Sequence, residues 1–244
     1  MNQFPRLTTK RTRVEIVVQL VIRLGFKPRK ARAIVHALSD AERETLNALA
    51  NRASEAYDEG KLEHADALRK LWRVSFTEDD ERDIPRDLKS EKWKDMGWQG
   101  TSPVTDFRAG GFFALENLIW FAESEPETYR ALVRKTRGAR SEFEYPFAVA
   151  GVNLTFNLVQ ILEIKQPAPT TAAGVCFARL AAENEFAFEA VYAMTFAALD
   201  REWLAYGNAT YMDFPEIFAT TKKRLVKAMD GARSLDDIAA RLEA

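Results

Sequence analysis

The chain is 244 residues long, 47% hydrophobic and 11% aromatic, with 35 basic residues against 36 acidic ones for a formal charge of -1. That much apolar material builds a buried core and excludes disorder of the whole chain. The near-zero charge lacks the basic footprint of a protein that neutralises many phosphates, so no nucleic acid is expected as a partner. One cysteine, Cys176, and two histidines, His36 and His64, allow neither an intramolecular disulfide nor a conventional structural zinc site, and no metal or cofactor is expected.

The segment from Met1 to Arg32 carries nine basic residues (Arg6, Lys10, Arg11, Arg13, Arg23, Lys27, Arg29, Lys30 and Arg32) and one acidic residue, Glu15, a balance of +8. Within it Val14, Val17, Val18, Val21 and Ile22 share one helical face, which predicts an amphipathic helix. Glu15, Gln19 and Arg23 interrupt this apolar run, so neither an export signal nor a membrane span is expected. The basic face is read either as solvated and packed on the domain or as a contact for an anionic membrane or an acidic partner. The acidic run "EDDERD", residues 78–83, is a candidate internal counterpart.

Four capping-box patterns predict helix starts: "SDAE" at Ser39–Glu42, "SEPE" at Ser124–Glu127, "DFPE" at Asp213–Glu216 and "SLDD" at Ser234–Asp237. Between the first two, one helix is predicted to end near Gly60, and another carries Leu62, Ala65, Leu68, Leu71 and Trp72 on one face. Further on, Tyr145–Ile164 is apolar nearly all round, as a buried central helix is. Asn153, Thr155, Asn157 and Gln160 argue against a membrane span there. The run from Val175 to Gly207 reads as a long apolar helix. Cys176 within it reads as a buried small hydrophobe rather than a nucleophile, and His36 and His64 as surface or boundary residues. No strand alternation or repeat is present. The prediction is an all-α fold: a compact multi-helix single domain over residues 31–230, a basic helical extension over 1–30, and a short C-terminal helix over 231–244.

The stretch "WKDMGWQGTSPVTDFRAGGFF" concentrates the candidate chemistry. Asp106 is predicted to cap the helix running on through Phe112, Leu115, Leu118, Ile119 and Ala122, which places Arg108 in its first turn, against the positive pole of the backbone dipole. Gly110 and Gly111 cost roughly 1 kcal/mol each in helix propensity relative to alanine. Two readings follow. The glycines leave room for a phosphate or a partner's loop, with Arg108 free to swing outward, or they permit tight packing of the preceding loop while Arg108 pairs with Asp106 or a nearby glutamate. No glycine-rich phosphate loop after a strand, metal cluster or nucleophile with a histidine partner indicates a metabolic enzyme.

The spacing of Trp93, Gly97, Trp98, Gln99, Pro103, Thr105, Asp106, Phe107, Arg108 and Gly111 resembles the signature of the ELMO domain. The resemblance extends over roughly Ala31–Met229, with Trp98 in place of the usual Phe and Ala109 in place of the usual glycine after the arginine. It implies one of two branches. Short ELMO-domain-containing proteins act as GTPase-activating proteins for Arf and Arf-like small GTPases, and for this chain a cytoplasmic location, peripheral to intracellular membranes, is the corresponding expectation. The engulfment branch consists of longer chains that assist exchange factors acting on Rac. The length of this chain leaves no room for the appended modules of the second branch, so the first is expected, with a non-catalytic scaffold binding a GTPase or an exchange factor as the alternative. Under that resemblance Arg108 is the catalytic arginine finger. Asp106, Gln99, Trp98, Thr105, Gly110 and Gly111 bind the partner or support the site: Asp106 orients the arginine or caps its helix, Gln99 braces the loop, and Trp93, Trp98 and Phe107 anchor it.

Overall fold

The computed structural model describes residues 37–76, 84–135 and 140–244. The predicted N-terminal amphipathic helix, His36 and the acidic run 78–83 lie outside the described residues. All regular structure among the described residues is helical. The α-helices are α1 (Asp40–Arg52), α2 (Leu62–Ser75), α3 (Gly111–Ser124), α4 (Pro126–Val133), α5 (Phe147–Ile161), α6 (Ala172–Glu183), α7 (Ala187–Tyr206), α8 (Phe214–Met229) and α9 (Leu235–Glu243). Among these residues no helix is long and apolar enough to cross a membrane.

Local chemistry sets most of the starts. Ser39 and Glu42 form the complete reciprocal capping box of α1. At α9, Ser234 takes the Asp237 N–H as expected, while the Asp237 carboxylate accepts from Arg233 N–H, one residue before the cap. The other two patterns start helices by a different device. Ser124 is the last residue of α3, and α4 begins with Pro126 after Glu125. At α8 the Asp213 carboxylate turns back onto the Thr210 N–H and hydroxyl, each at 2.8 Å. In both places a proline in the first turn, whose missing N–H would be unsatisfied there anyway, favours the start.

Helix α3 lies at the centre, packed against α2, α4, α5 and α7. Its Phe113 meets Phe188 of α7 at 4.6 Å between ring centroids, and Phe121 makes edge-on contacts with Tyr129 and Tyr192. Helix α5 is buried over most of its length, with Phe156 and Gln160 facing out. Its polar Thr155 is fully enclosed and accepts a hydrogen bond from Asn117 of α3 at 3.2 Å. Helix α9 packs on α7 and α8 through the buried Ile238 and Leu242.

Three expectations are corrected. The first helix ends at Arg52 rather than near Gly60, because Ala53–Lys61 turns away as a loop. Leu62 points outward at 73% exposure, while Ala65, Leu68, Leu71 and Trp72 are buried as predicted. The long helix read from Val175 to Gly207 is two helices broken at Asn184, whose side-chain oxygen accepts the Phe186 N–H at 2.8 Å and so competes with the helical ladder.

A charged cluster joins α5's entry to α7. Arg140 pairs bidentately with Asp200 at 2.6 and 2.7 Å and with Glu144 at 2.9 and 2.8 Å, and the Tyr145 hydroxyl donates to Asp200 at 2.8 Å. Burial pushes the Asp200 carboxyl up, but hydrogen bonds from Arg140 and Tyr145 outweigh it and hold it below the usual range. Arg140→Ala strands two carboxylates beside each other in a largely dry site. It is expected to cost on the order of 3 kcal/mol in urea unfolding, and Arg140→Lys to recover only part, since an ammonium cannot make the paired forks.

Candidate partner-docking site

The residues singled out between Trp93 and Gly111 lie on two 3-10 turns, Glu91–Met96 and Pro103–Arg108, that lead into α3. The Ser90 N–H donates to the Thr101 carbonyl at 2.9 Å, and the Trp93 indole donates to the Leu88 carbonyl at 3.0 Å. Beneath the second turn Phe107 is buried between Trp98, at 5.0 Å, and Tyr57, stacked at 4.8 Å. Trp98 in turn meets Trp93 edge-on at 6.2 Å. All three aromatic side chains are buried.

Asp106 does not cap α3. Its carboxylate accepts the Gln99 N–H at 3.0 Å, seven residues back, and closes the loop on itself. The N-cap of α3 is Gly110, four residues beyond Asp106, with no side-chain cap bond. Arg108 is the last residue of the Pro103–Arg108 turn, outside the first turn of α3. It thus stands at the carbonyl end of a short helical turn, where a cation is electrostatically favoured, and the expected conflict with a positive pole disappears. Its side chain is exposed, and among the described residues it makes no hydrogen bond, ion pair or ring contact. Pairing with Asp106 does not occur. Thr105 and Gln99 are exposed near it in sequence, on the same closed loop.

The glycines face the chain's own interior. Gly111 has φ +60°, and a Cβ there would lie 2.2 Å from the Glu55 carbonyl oxygen, which accepts the Phe112 N–H at 2.9 Å. A Cβ on Gly110 would meet the Ala114 Cβ at 2.6 Å and the Val152 carbonyl oxygen at 3.1 Å. The space they leave is filled by the Ala53–Lys61 loop and by α5, so the reading that they clear room for a partner is corrected to one of support.

That loop and the start of α2 supply support from beneath. His64, expected at the surface, is fully buried and stacks on Phe112 at 3.9 Å. The Asp58 N–H donates to its Nδ1 at 2.9 Å, so its proton sits on Nε2, which donates to Glu55 at 3.1 Å. Glu55 also receives Lys61 at 2.6 Å, and these two hydrogen bonds hold its carboxyl below the ordinary range. Burial pushes the Tyr57 phenol up to about 12. Glu55, Tyr57 and His64 thus brace the turn from beneath. The signal in the sequence was the turn-forming "YDEG", but nothing there tied it to residues some fifty positions later.

Beside the loop lies a cleft of about 330 Å³, lined among others by Trp98, Gln99, Lys135, Glu144 and Tyr211. Lys135 is almost entirely enclosed, with its amine donating to the Tyr145 carbonyl at 3.0 Å and 4.0 Å from Glu144. Burial drives its pKa down to about 7, against the opposing pull of Asp200 and Glu144. A lysine depressed in the fold favours the native state above its ordinary value of 10.5, and that contribution is lost as pH falls towards about 7. Lys135→Met removes this term. Its stability advantage over the wild type is expected to shrink by on the order of 2 kcal/mol when urea unfolding is measured at pH 9 instead of pH 7.

Among the described residues no three His, Cys, Asp or Glu side chains converge as a metal site. Cys176 is buried with its thiol pushed up by burial, in keeping with a packing role.

Fold and site together define a helical domain with an exposed arginine, unpaired among the described residues, on a closed, aromatic-anchored loop. The chain matches the ELMO/CED-12 family over residues 47–218, and it belongs to that family. It is 33% identical over 209 residues to ELMO domain-containing protein A of Dictyostelium discoideum, covering 78% of this chain and 21% of that protein. It is 30% identical over 212 residues to ELMO domain-containing protein C of the same organism, covering 82% and 32%. Engulfment and cell motility protein 3 of Rattus norvegicus is 23% identical over 205 residues, covering 80% and 28%. The chain spans about a fifth to a third of the length of these relatives.

Proposed function

We propose that this chain is a GTPase-activating protein for small GTPases of the Arf and Arf-like class, with Arg108 entering the partner's nucleotide site in trans. The observation that carries the reading is the state of Arg108: exposed, with no partner among the described residues, on a loop whose every other anchor is committed. Hydrolysis of GTP spreads charge over phosphate oxygens in the transition state. A guanidinium is permanently charged, planar and able to make two parallel hydrogen bonds to them. Asp106, Gln99 and the aromatic anchors fix the direction in which the loop presents the arginine, while Thr105 and Gln99 form the adjoining surface. The position matches the family arginine, and Ala109 replaces the glycine usual after it.

The test is single-turnover GTP hydrolysis over a panel of Arf and Arf-like GTPases, with the wild-type chain and Arg108→Ala. Acceleration by the first and not the second supports the reading; wild-type acceleration by the variant sinks it. Similarity to an engulfment and cell motility protein over 80% of the chain favours a second reading, a scaffold that holds a GTPase or an exchange factor. Capture of the GTP-bound partner with no acceleration across the panel would select it.

A further inference from the structure

An open trough lies away from the Arg108 loop, along the outer face of α8. Its volume is about 630 Å³, and α8 and its C-cap line it with Ala219, Lys222, Lys223, Val226, Lys227 and Asp230. Those positions follow the i, i+3, i+4, i+7, i+8, i+11 spacing of one helical face. The opposite face of α8 is the one the core uses, through Ile217, Phe218, Thr221, Leu225, Ala228 and Met229. Ile161 at the end of α5 and Ala172 at the start of α6 complete an apolar floor. On the helix, Ala219 and Val226 form an apolar line with Lys222 on one side and Lys223 and Lys227 on the other. Val226 is 43% exposed, and Asp230 is the sole acid lining the trough, so its local charge is +2.

We propose that this trough is a docking surface for an anionic phospholipid bilayer. Lysine stems lie along apolar surface while their ammonium groups reach outward, the arrangement that places apolar atoms at the acyl boundary and charge at the headgroups. Lys222 turns its ammonium inward onto Asn157 at 3.2 Å and the Phe218 ring at 5.1 Å, so the exposed Lys223 and Lys227 are the lysines that reach outward. The surface selects charge and apolarity and offers no array of directional hydrogen bonds, which suits a fluid lipid surface better than a specific peptide. The +8 balance of Met1–Arg32 gives the same chain a second cationic element of the same preference.

The test uses the full chain and vesicles of phosphatidylcholine alone or with about 30% phosphatidylserine, read by co-sedimentation. Binding is expected only to the anionic vesicles and is expected to fall in about 0.5 M salt. The double substitution Lys223→Glu with Lys227→Glu is expected to weaken it by roughly thirty-fold or more, from the loss of two surface lysines. Val226→Trp, in a chain whose own tryptophans other than Trp120 are all buried, is expected to shift its emission to the blue and to be quenched by lipids brominated on the acyl chain. Circular dichroism of each variant establishes that it is folded. Wild-type binding by the folded double variant would assign the charge effect to Met1–Arg32 and overturn the proposal. So would an unquenched Val226→Trp, an absence of vesicle binding, or tighter binding of a soluble acidic amphipathic peptide than of vesicles.

Discussion

Replacing Arg108 by alanine is expected to abolish stimulation of the partner's GTP hydrolysis, by roughly 10³-fold or more, while leaving the melting temperature within about 1 °C of the wild type. The two halves of that expectation have separate physical origins. The catalytic half rests on the arginine-finger reading and on a guanidinium that is exposed and without a partner among the described residues. The stability half rests on the same freedom: an exposed side chain with no partner among the described residues can be truncated without unpairing anything, and such changes stay within about 0.5 kcal/mol. Arg108→Lys separates charge from geometry. It retains a cation and loses the planar fork, so stimulation is expected to remain far below wild type while binding of the GTP-bound partner is nearly preserved. A lysine variant as active as the wild type would mean that Arg108 contributes only a general positive field.

How much of this was legible in the sequence depended on whether the cause was local. The Ser39 capping box needs four consecutive residues, and it is present as read. The buried faces of α2 and α3 follow from periodicity, as Leu68, Leu71, Leu115 and Leu118 show. Asp106 was recognised as a capping residue because of its type, yet its carboxylate bonds backwards to Gln99. The choice between forward and backward partners is settled by the 3-10 turn that Pro103 initiates, which places the start of α3 out of reach. The burial of His64 is not legible locally because its position is defined by partners distant in sequence or set by a loop, here Phe112, Glu55 and the Asp58 N–H. The break at Asn184 lies within local reach, since an asparagine side chain is one of those that compete for backbone hydrogen bonds. The surrounding run of apolar residues concealed it.

Gly111→Ala is expected to be among the most damaging single substitutions in the domain, although it adds one methyl group. Two penalties coincide there. A left-handed backbone at φ +60° costs a residue with a Cβ roughly 1–2 kcal/mol. The added carbon would also lie 2.2 Å from the Glu55 carbonyl oxygen, a backbone atom that no rotamer change can move. Relief requires the Ala53–Lys61 loop and the head of α3 to separate, which breaks the hydrogen bond from Phe112 to Glu55 and disturbs the stacking of Phe107 on Tyr57. A total of about 4 kcal/mol follows, or a fall of roughly 10 °C in melting temperature for a domain of this size. Gly231→Ala isolates the first penalty: φ there is +67°, and nothing lies within 4 Å of the added carbon, so a loss near 1 kcal/mol is expected. The comparison also bears on function. Below its melting point, Gly111→Ala keeps Arg108 and its charge but loosens the platform beneath it, so stimulation should fall with Arg108 intact. Gly231→Ala should leave stimulation unchanged. Equal effects of the two alanines on both readouts would show that the packing of Gly111 against Glu55 does not position the arginine.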